Sequence, residues 1–140
     1  MQLPFVTRIP VRFRDMDAMG HLNHAVYFTY MEFGRQEYWF ALSGLRTIKA
    51  FDFIVGKAEC TYKSPAVLGE TVVVALGITR LGNASFTMEY QLTDQDSGRL
   101  LATGKTELVS YDYAAKRPRR ILPEMREKMQ AFEEALRTKV

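Results

Sequence analysis

The spacing of hydrophobic and polar positions changes several times along this chain, and each change marks a predicted element. Residues 5–14 alternate with the two-residue period of a strand. The predicted inward side chains of this strand are Phe5, Val11 and Phe13. Because Pro10 has no backbone N–H to donate, we expect the strand to lie at a sheet edge or to contain a bulge.

A helical period follows over residues 22–42, where apolar side chains cover most of the predicted helix surface. One face is formed by Tyr27, Met31, Gly34 and Tyr38. A glycine lowers helix stability by about 1 kcal/mol, so Gly34 predicts a close approach by a strand. Such an apolar helix should be surrounded by protein, and Ser43-Gly44 is a typical stop.

The remaining residues predict four strands and a second helix. The strands are expected at 51–63, 70–80, 85–93 and 100–111, with turn residues between them. Pro123 opens an amphipathic helix. Its apolar stripe consists of Met125, Met129, Phe132 and Leu136. The order of the elements predicts one α+β domain over residues 1–140, in which an antiparallel sheet curls around the first helix.

Composition narrows the class of protein. With 140 residues, 47% hydrophobic and 25% charged, the chain has the balance of a soluble globular domain. No apolar run reaches the roughly 18 residues that span a bilayer, and residues 1–10 lack the apolar segment of a signal peptide. The single cysteine, Cys60, excludes an intrachain disulfide and suits a reducing compartment. We therefore expect a cytoplasmic protein without a membrane partner.

The net charge of +3 is modest, but four cations cluster at Lys116, Arg117, Arg119 and Arg120. Such a cluster is either a solvated loop or a contact for phosphates. No basic motif with interleaved aromatic residues is present, so we expect no nucleic-acid partner.

Candidate chemistry concentrates in residues 12–24, R-F-R-D-M-D-A-M-G-H-L-N-H. Asp15 and Asp17 lead into a turn at Gly20, and His21 and Asn23 open the predicted helix. The first N–H groups of a helix and its dipole favour negative charge. An acid beside such an oxyanion-stabilising site is what acyl-transfer chemistry requires.

The pattern D-x-D-x-x-G-H-x-N resembles the signature of hotdog-fold acyl-CoA thioesterases, in particular the 4-hydroxybenzoyl-CoA thioesterase-like group. The signature continues with Ala25, Tyr27, Tyr30, Glu32 and Arg35, and more weakly through residues 62–70 and the strands to about 112. Relatives often carry a second Asn at the position of His24. The resemblance implies a hotdog fold, with about five antiparallel strands around a central helix. It also implies at least a homodimer, often a tetramer, with active sites at the subunit interface.

By this resemblance Asp17 is the catalytic residue, either as nucleophile or as general base; the alternative is that it caps the turn or the helix. Gly20 is expected to shape the turn. His21 either assists proton transfer or locks the turn, and Asn23 either orients the thioester or water or caps the helix. Asp15 either pairs with Asp17 or, as we favour, bonds the turn.

Further substrate contacts are expected at Tyr27, the aromatic residue nearest the motif, and at Lys63 and Arg80, which with residues 116–120 are candidates to hold the phosphates of coenzyme A. Glu59 is either an acid supplied to a second subunit or an exposed strand residue. Cys60 is interpreted as a small core side chain rather than a nucleophile.

His21 and His24 lie three residues apart without a complete ligand set nearby, so no metal site is expected. The resulting hypothesis is an acyl-CoA thioesterase that needs no cofactor. Its alternatives are a thioesterase acting on acyl carrier protein and a non-catalytic acyl-binding protein.

Overall fold

Two helices and one antiparallel sheet make up the fold of this chain. The structure is a computed structural model that describes residues 2–47 and 52–139. Its elements are β1 (Phe5–Pro10), a 3-10 turn (Phe13–Asp15), α1 (Val26–Ser43), β2 (Phe53–Tyr62), β3 (Thr71–Leu81), β4 (Ser85–Asp94), β5 (Leu100–Asp112), β6 (Arg117–Pro118) and α2 (Pro123–Thr138).

The main path of the sheet runs β1-β3-β4-β5-β2, and every neighbouring pair is antiparallel. The predicted sheet of about five strands around a central helix is therefore confirmed. A sixth, two-residue strand, β6, pairs with the end of β5 and was not predicted. β1 and β2 are the two edges, so Pro10, the last residue of β1, does lie at an edge.

α1 packs against the sheet through the face predicted from its periodicity, because Tyr27, Met31, Gly34 and Tyr38 are all buried. A Cβ atom on Gly34 would lie 2.9 Å from Cγ1 of Val74 on β3. The glycine therefore permits the close approach of helix and strand that the sequence predicted. Gly44 ends the helix with a φ of 73°, a left-handed conformation that favours glycine.

Three details differ from the predictions. α1 begins at Val26 rather than at Leu22, because Leu22 instead forms a bridge with Met16 and bonds the carbonyl of Ala66. Phe13 is 83% exposed, not inward, since β1 ends at Pro10 and a 3-10 turn follows. Phe51, the predicted start of the second strand, lies outside the described residues.

α1 is also less enclosed than predicted. The sheet covers one of its faces, but Phe28 remains 36% exposed beside the edge strand β2. In β2 itself most side chains are exposed, Val55 to 46%. A single chain therefore leaves apolar surface uncovered between α1 and β2.

The second helix closes the other end of the sheet. Met129 of α2 is buried, and Glu133 accepts hydrogen bonds from the Tyr38 hydroxyl of α1 and from the Ile78 N–H of β3, the latter at 3.1 Å. Within residues 2–47 and 52–139, neither helix has the length and apolar character required to cross a membrane.

Candidate active site

The motif folds into a short hairpin between β1 and α1. The N–H of Asp17 donates to the carbonyl of His21 at 2.8 Å, and the N–H of Gly20 donates to the carbonyl of Asp17 at 3.2 Å. Gly20 has a φ of 82°, which side-chain-bearing residues rarely adopt. The hairpin therefore depends on glycine at this position.

Asp17 uses one carboxylate oxygen to hold the hairpin. Its Oδ1 accepts the N–H of Met19 at 2.8 Å and the N–H of His21 at 3.1 Å. Its Oδ2 has no hydrogen-bond partner among the residues that the structure describes. Capping and chemistry are thus compatible, because one oxygen fixes the side chain while the other stays available.

Asp15 has a different environment, although it lies only two residues away. Its buried carboxylate accepts hydrogen bonds from the Arg12 guanidinium at 3.0 and 3.2 Å and from the Tyr30 hydroxyl at 2.6 Å. Burial alone would raise the pKa of Asp15, but the hydrogen bonds from Arg12 and Tyr30 outweigh it and hold the pKa below its usual value. These bonds favour the interpretation that Asp15 stabilises the turn, rather than forming a carboxylate pair with Asp17.

A second loop, residues 64–70, supports the hairpin from the side. The N–H of Leu22 donates to the carbonyl of Ala66 at 2.8 Å. Arg99 fixes this loop through Oγ of Ser64 at 2.8 Å and the carboxylate of Glu70 at 3.0 Å. The position of the hairpin is therefore set by residues that lie far from it in the sequence.

The start of α1 lies directly after the hairpin. Asn23 is committed to this connection, because its Oδ1 accepts the N–H of Ala25 at 2.9 Å and its carbonyl accepts the N–H of Val26 at 2.9 Å. Ala25 occupies the cap position without a side-chain cap bond, and the first turn contains no acidic residue. The positive end of the helix dipole is thus not neutralised by a side chain of the helix start.

An open cavity of about 410 Å³ adjoins both the hairpin and the helix start. It is lined by Asp17, His21, Leu22, His24, Tyr27, Tyr62, Lys63, Ser64 and Pro65. Of the residues predicted to contact substrate, His21, Tyr27 and Lys63 are therefore brought together with Asp17. Gly20 and Asn23 shape the backbone beside them.

Other predicted residues lie elsewhere in the single chain. Arg80 is near the far end of β3 and donates to Oγ1 of Thr87 at 3.0 Å. The basic residues 116–120 form a hairpin with the end of β5, where Arg119 pairs with Asp52 at 3.3 Å. Glu59 is exposed on β2 and lines a different cavity, of about 280 Å³, together with Lys105.

The predictions did not include Tyr62 among the site residues. Its hydroxyl donates to the carbonyl of His24 at 2.7 Å, and its ring meets that of Tyr27 edge to face at 5.0 Å between centroids. The only available signal was its position at the start of the Y-K-S-P stretch. Burial raises the pKa of the neighbouring Cys60 thiol, which disfavours the thiolate that a nucleophile requires.

An antiparallel sheet packed on a central helix, with an acid-bearing turn at the helix start, defines a hotdog-type thioester hydrolase. The profile of the thioesterase-like superfamily matches residues 11–129, and the chain belongs to this superfamily. Its members in the solved structures include a thioesterase of Thermus thermophilus, crystallised with coenzyme A and Zn. That protein is 34% identical, has a TM-score of 0.83, and the match covers 94% of this chain and 96% of that one.

Two further relatives agree with this class. A predicted thioesterase of Bacillus stearothermophilus is 26% identical with a TM-score of 0.83, over 91% of this chain and 95% of that one. The long-chain acyl-CoA thioesterase FadM of Escherichia coli is 24% identical over 132 residues, or 89% of this chain and 96% of FadM. Among the described residues, no group of three or more His, Cys, Asp or Glu side chains is placed to hold a metal ion.

Proposed function

We propose that this protein hydrolyses an acyl- or aryl-CoA thioester to the free acid and coenzyme A, with Asp17 as the catalytic carboxylate. The observation that carries the proposal is the unpaired Oδ2 of Asp17, which lies in an accessible cavity beside the uncapped start of α1. A fixed carboxylate next to an oxyanion-stabilising helix end supplies the two elements of acyl transfer.

In the proposed reaction the thioester carbonyl lies over the start of α1, where backbone N–H groups stabilise the oxyanion. Asp17 acts in one of two ways. As nucleophile, its carboxylate forms an anhydride with the acyl group, coenzyme A leaves as thiolate, and water then hydrolyses the anhydride. As general base, it takes a proton from the water that attacks the carbonyl carbon.

Coenzyme A is the proposed carrier because Lys63 lies in the cavity with Asp17 and can contact a phosphate. Arg80 and the 116–120 hairpin lie at the opposite end of the sheet in one chain. These cations are therefore proposed to reach the substrate only from a second subunit.

We further propose that the protein is a homo-oligomer that pairs through β2. This edge strand is mostly exposed, and it is flanked by the exposed apolar side chains Val55 and Phe28. In an antiparallel two-fold pairing centred on Ala58, Lys57 would face Glu59 of the partner subunit, because residues two apart share one side of a strand. Neither Lys57 nor Glu59 forms an ion pair within residues 2–47 and 52–139, so both are available for this contact.

The proposed function is tested by thiol release from acetyl-, octanoyl-, palmitoyl- and hydroxybenzoyl-CoA. We expect hydrolysis by the wild type and a loss of about 10²-fold or more in Asp17→Asn, because the variant keeps the shape but not the charge of the side chain. The matched control is Asp96→Asn, an exposed aspartate in the turn after β4, which should leave the rate unchanged.

Full activity in a folded Asp17→Asn protein would contradict the role of Asp17. The carrier is tested with the same acyl groups on acyl carrier protein. Faster turnover of the protein-bound thioester would replace coenzyme A as the carrier, and tight acyl-CoA binding without turnover would indicate a binding protein.

A further inference from the structure

We infer that His24 is a second catalytic residue of this site, a proton shuttle that takes a proton from the attacking water and delivers it to the departing sulfur. The inference rests on the proposed thioester hydrolysis. It concerns a residue at which this chain departs from the Asn that relatives often carry.

His24 lies in the wall of the cavity that contains Asp17, two residues before the first residue of α1. Its side chain is exposed, and its ring nitrogens have no hydrogen-bond partner among the described residues. The preceding residue, Asn23, has its amide oxygen bound to the N–H of Ala25. The imidazole is thus the side chain at the helix start that is free for proton transfer.

Tyr62 holds His24 in place from the neighbouring strand. Its hydroxyl donates to the His24 carbonyl at 2.7 Å, and the two rings meet edge to face with centroids 6.5 Å apart. The backbone of His24 is therefore anchored while its nitrogens stay unpaired. A fixed, accessible imidazole is the arrangement that general acid–base catalysis requires.

The groups around the cavity decide how the imidazole is charged. Asp17 and His21 face it from the hairpin, Tyr27 from α1, and Tyr62 and Lys63 from β2. The Asp17 carboxylate favours the imidazolium, whereas Lys63 disfavours it. With both signs present, His24 can accept a proton and release it again within one turnover.

The proton balance of the step is closed. The water oxygen forms a bond to the carbonyl carbon, of the thioester or of the Asp17 anhydride, and its proton moves to a ring nitrogen of His24. The C–S bond breaks with its electron pair on sulfur, and the imidazolium returns the proton to give the free thiol. Imidazole is a stronger base than a carboxylate near neutral pH, so the step gains from a histidine beside Asp17.

His21 is the competing candidate, because its ring also lines the cavity and is also unpaired among the described residues. The backbone of His21 belongs to the hairpin, whereas His24 lies at the helix start where the carbonyl is proposed to bind. The test therefore compares His24→Asn and His21→Asn.

The first measurement is the pH dependence of kcat/KM for thiol release. In the wild type we expect a fall below neutral pH as the imidazole is protonated. In His24→Asn the value at pH 8 should drop by about 10²-fold and this fall should disappear, leaving only a carboxylate limb near pH ~4–5. His21→Asn should keep the neutral limb. An unchanged pH profile in His24→Asn, or its loss in His21→Asn, would overturn the inference.

The second measurement does not depend on activity. The chain contains two histidines, so its two imidazole C2–H proton resonances can be assigned from the same two variants. Addition of S-octyl-CoA, a thioether that cannot be hydrolysed, should shift the titration of His24 more than that of His21. A shift confined to His21 would contradict the inference. Loss of activity in Asp17→Asn with unchanged His24 behaviour separates the failure of one proposal from that of the other.

Discussion

The two ends of the sheet treat their polar groups in opposite ways. At the end closed by α2, buried polar groups are paired with one another. At the end that carries the motif, the Oδ2 of Asp17 and the rings of His21 and His24 are unpaired among the described residues and face an accessible cavity. Because unpaired polar groups favour contact with water or substrate, the difference assigns stability to one end and chemistry to the other.

The closed end is organised around Glu133. This carboxylate, whose side chain is 13% exposed, binds the Tyr38 hydroxyl, the Ile78 N–H and Arg137, the last at 3.2 Å. Burial raises the pKa of Tyr38, and the nearby Glu133 carboxylate raises it further. The tyrosine therefore remains a neutral hydrogen-bond donor that joins α1 to α2.

The same division occurs inside the motif itself. Asp15 is buried and paired, whereas Asp17 keeps one oxygen free. Asp15 also fixes the helix entrance, since its carbonyl accepts the N–H of Asn23 at 2.9 Å. The reactive carboxylate is thus presented by a framework whose own carboxylate is fully engaged.

The largest effect on stability is expected from Asp15→Ala. The change leaves the buried Tyr30 hydroxyl without its acceptor and removes two charge-assisted bonds from Arg12, so unfolding should become easier by about 3 kcal/mol. Urea denaturation measures it, and Asp15→Asn, which retains a hydrogen-bonding group, should lose less. An equal loss in both variants would assign the effect to charge alone.

Asp15 also predicts a pH dependence of stability. Its pKa is lower in the folded protein, so its contribution is present above the pKa of an unfolded aspartate and is lost as pH falls through the folded value. The free energy of unfolding of the wild type should therefore decrease in acid below about pH 4. In Asp15→Asn this part of the decrease should be missing, and an unchanged slope would contradict the assignment.

Glu133→Ala should have the next largest effect, a loss of about 2 kcal/mol in the free energy of unfolding. The variant leaves the buried Tyr38 hydroxyl and the Ile78 N–H without an acceptor. Thiol release by the folded variant should equal that of the wild type, because this end contains no catalytic group. In Tyr38→Phe/Glu133→Ala the loss should be smaller than the sum of the single losses. A large fall in kcat would break the division between the two ends.

Much of the fold could be predicted because burial imposes a period on each element. The alternation along β3, β4 and β5 and the buried face of α1 are local patterns, and the structure confirms them. The start of α1 was placed four residues too early because apolar Leu22 fits a helical period. Its actual contacts, with Met16 and Ala66, are tertiary.

The site was predictable where its residues are adjacent in sequence. Asp17, His21 and Tyr27 come from one motif, and Lys63 follows the end of β2. The anchoring of His24 by Tyr62 joins residues 38 apart, and no local pattern contains it. Phe13 was wrongly predicted as inward because a continued strand period ignored the turn after Pro10. The catalytic and substrate-binding roles stay predictions.

Lys57→Glu tests whether the exposed edge between the two ends is a subunit interface. Across the proposed two-fold axis it replaces two attractions with Glu59 by two repulsions, so the dissociation constant should rise roughly tenfold. Sedimentation equilibrium measures the change. Lys57→Glu/Glu59→Lys restores opposite charges and should restore association. If the double variant dissociates as the single one does, the Ala58-centred pairing is wrong.

The smallest effect is expected from Tyr62→Phe, which sharpens the comparison within the motif end. The change removes the hydrogen bond to the His24 carbonyl but keeps the ring against Tyr27. Because this bond is solvent-exposed, its loss should cost about 0.5–1 kcal/mol, seen as a roughly two- to fivefold fall in kcat/KM with little change in stability. Tyr113→Phe is the matched control, since its hydroxyl donates to a carbonyl at the other end, that of Phe53, and its loss should leave kcat/KM unchanged. If both variants lose activity equally, then the tyrosine bond at the motif end does not serve the site, and His24 must be held there by the backbone of the hairpin alone.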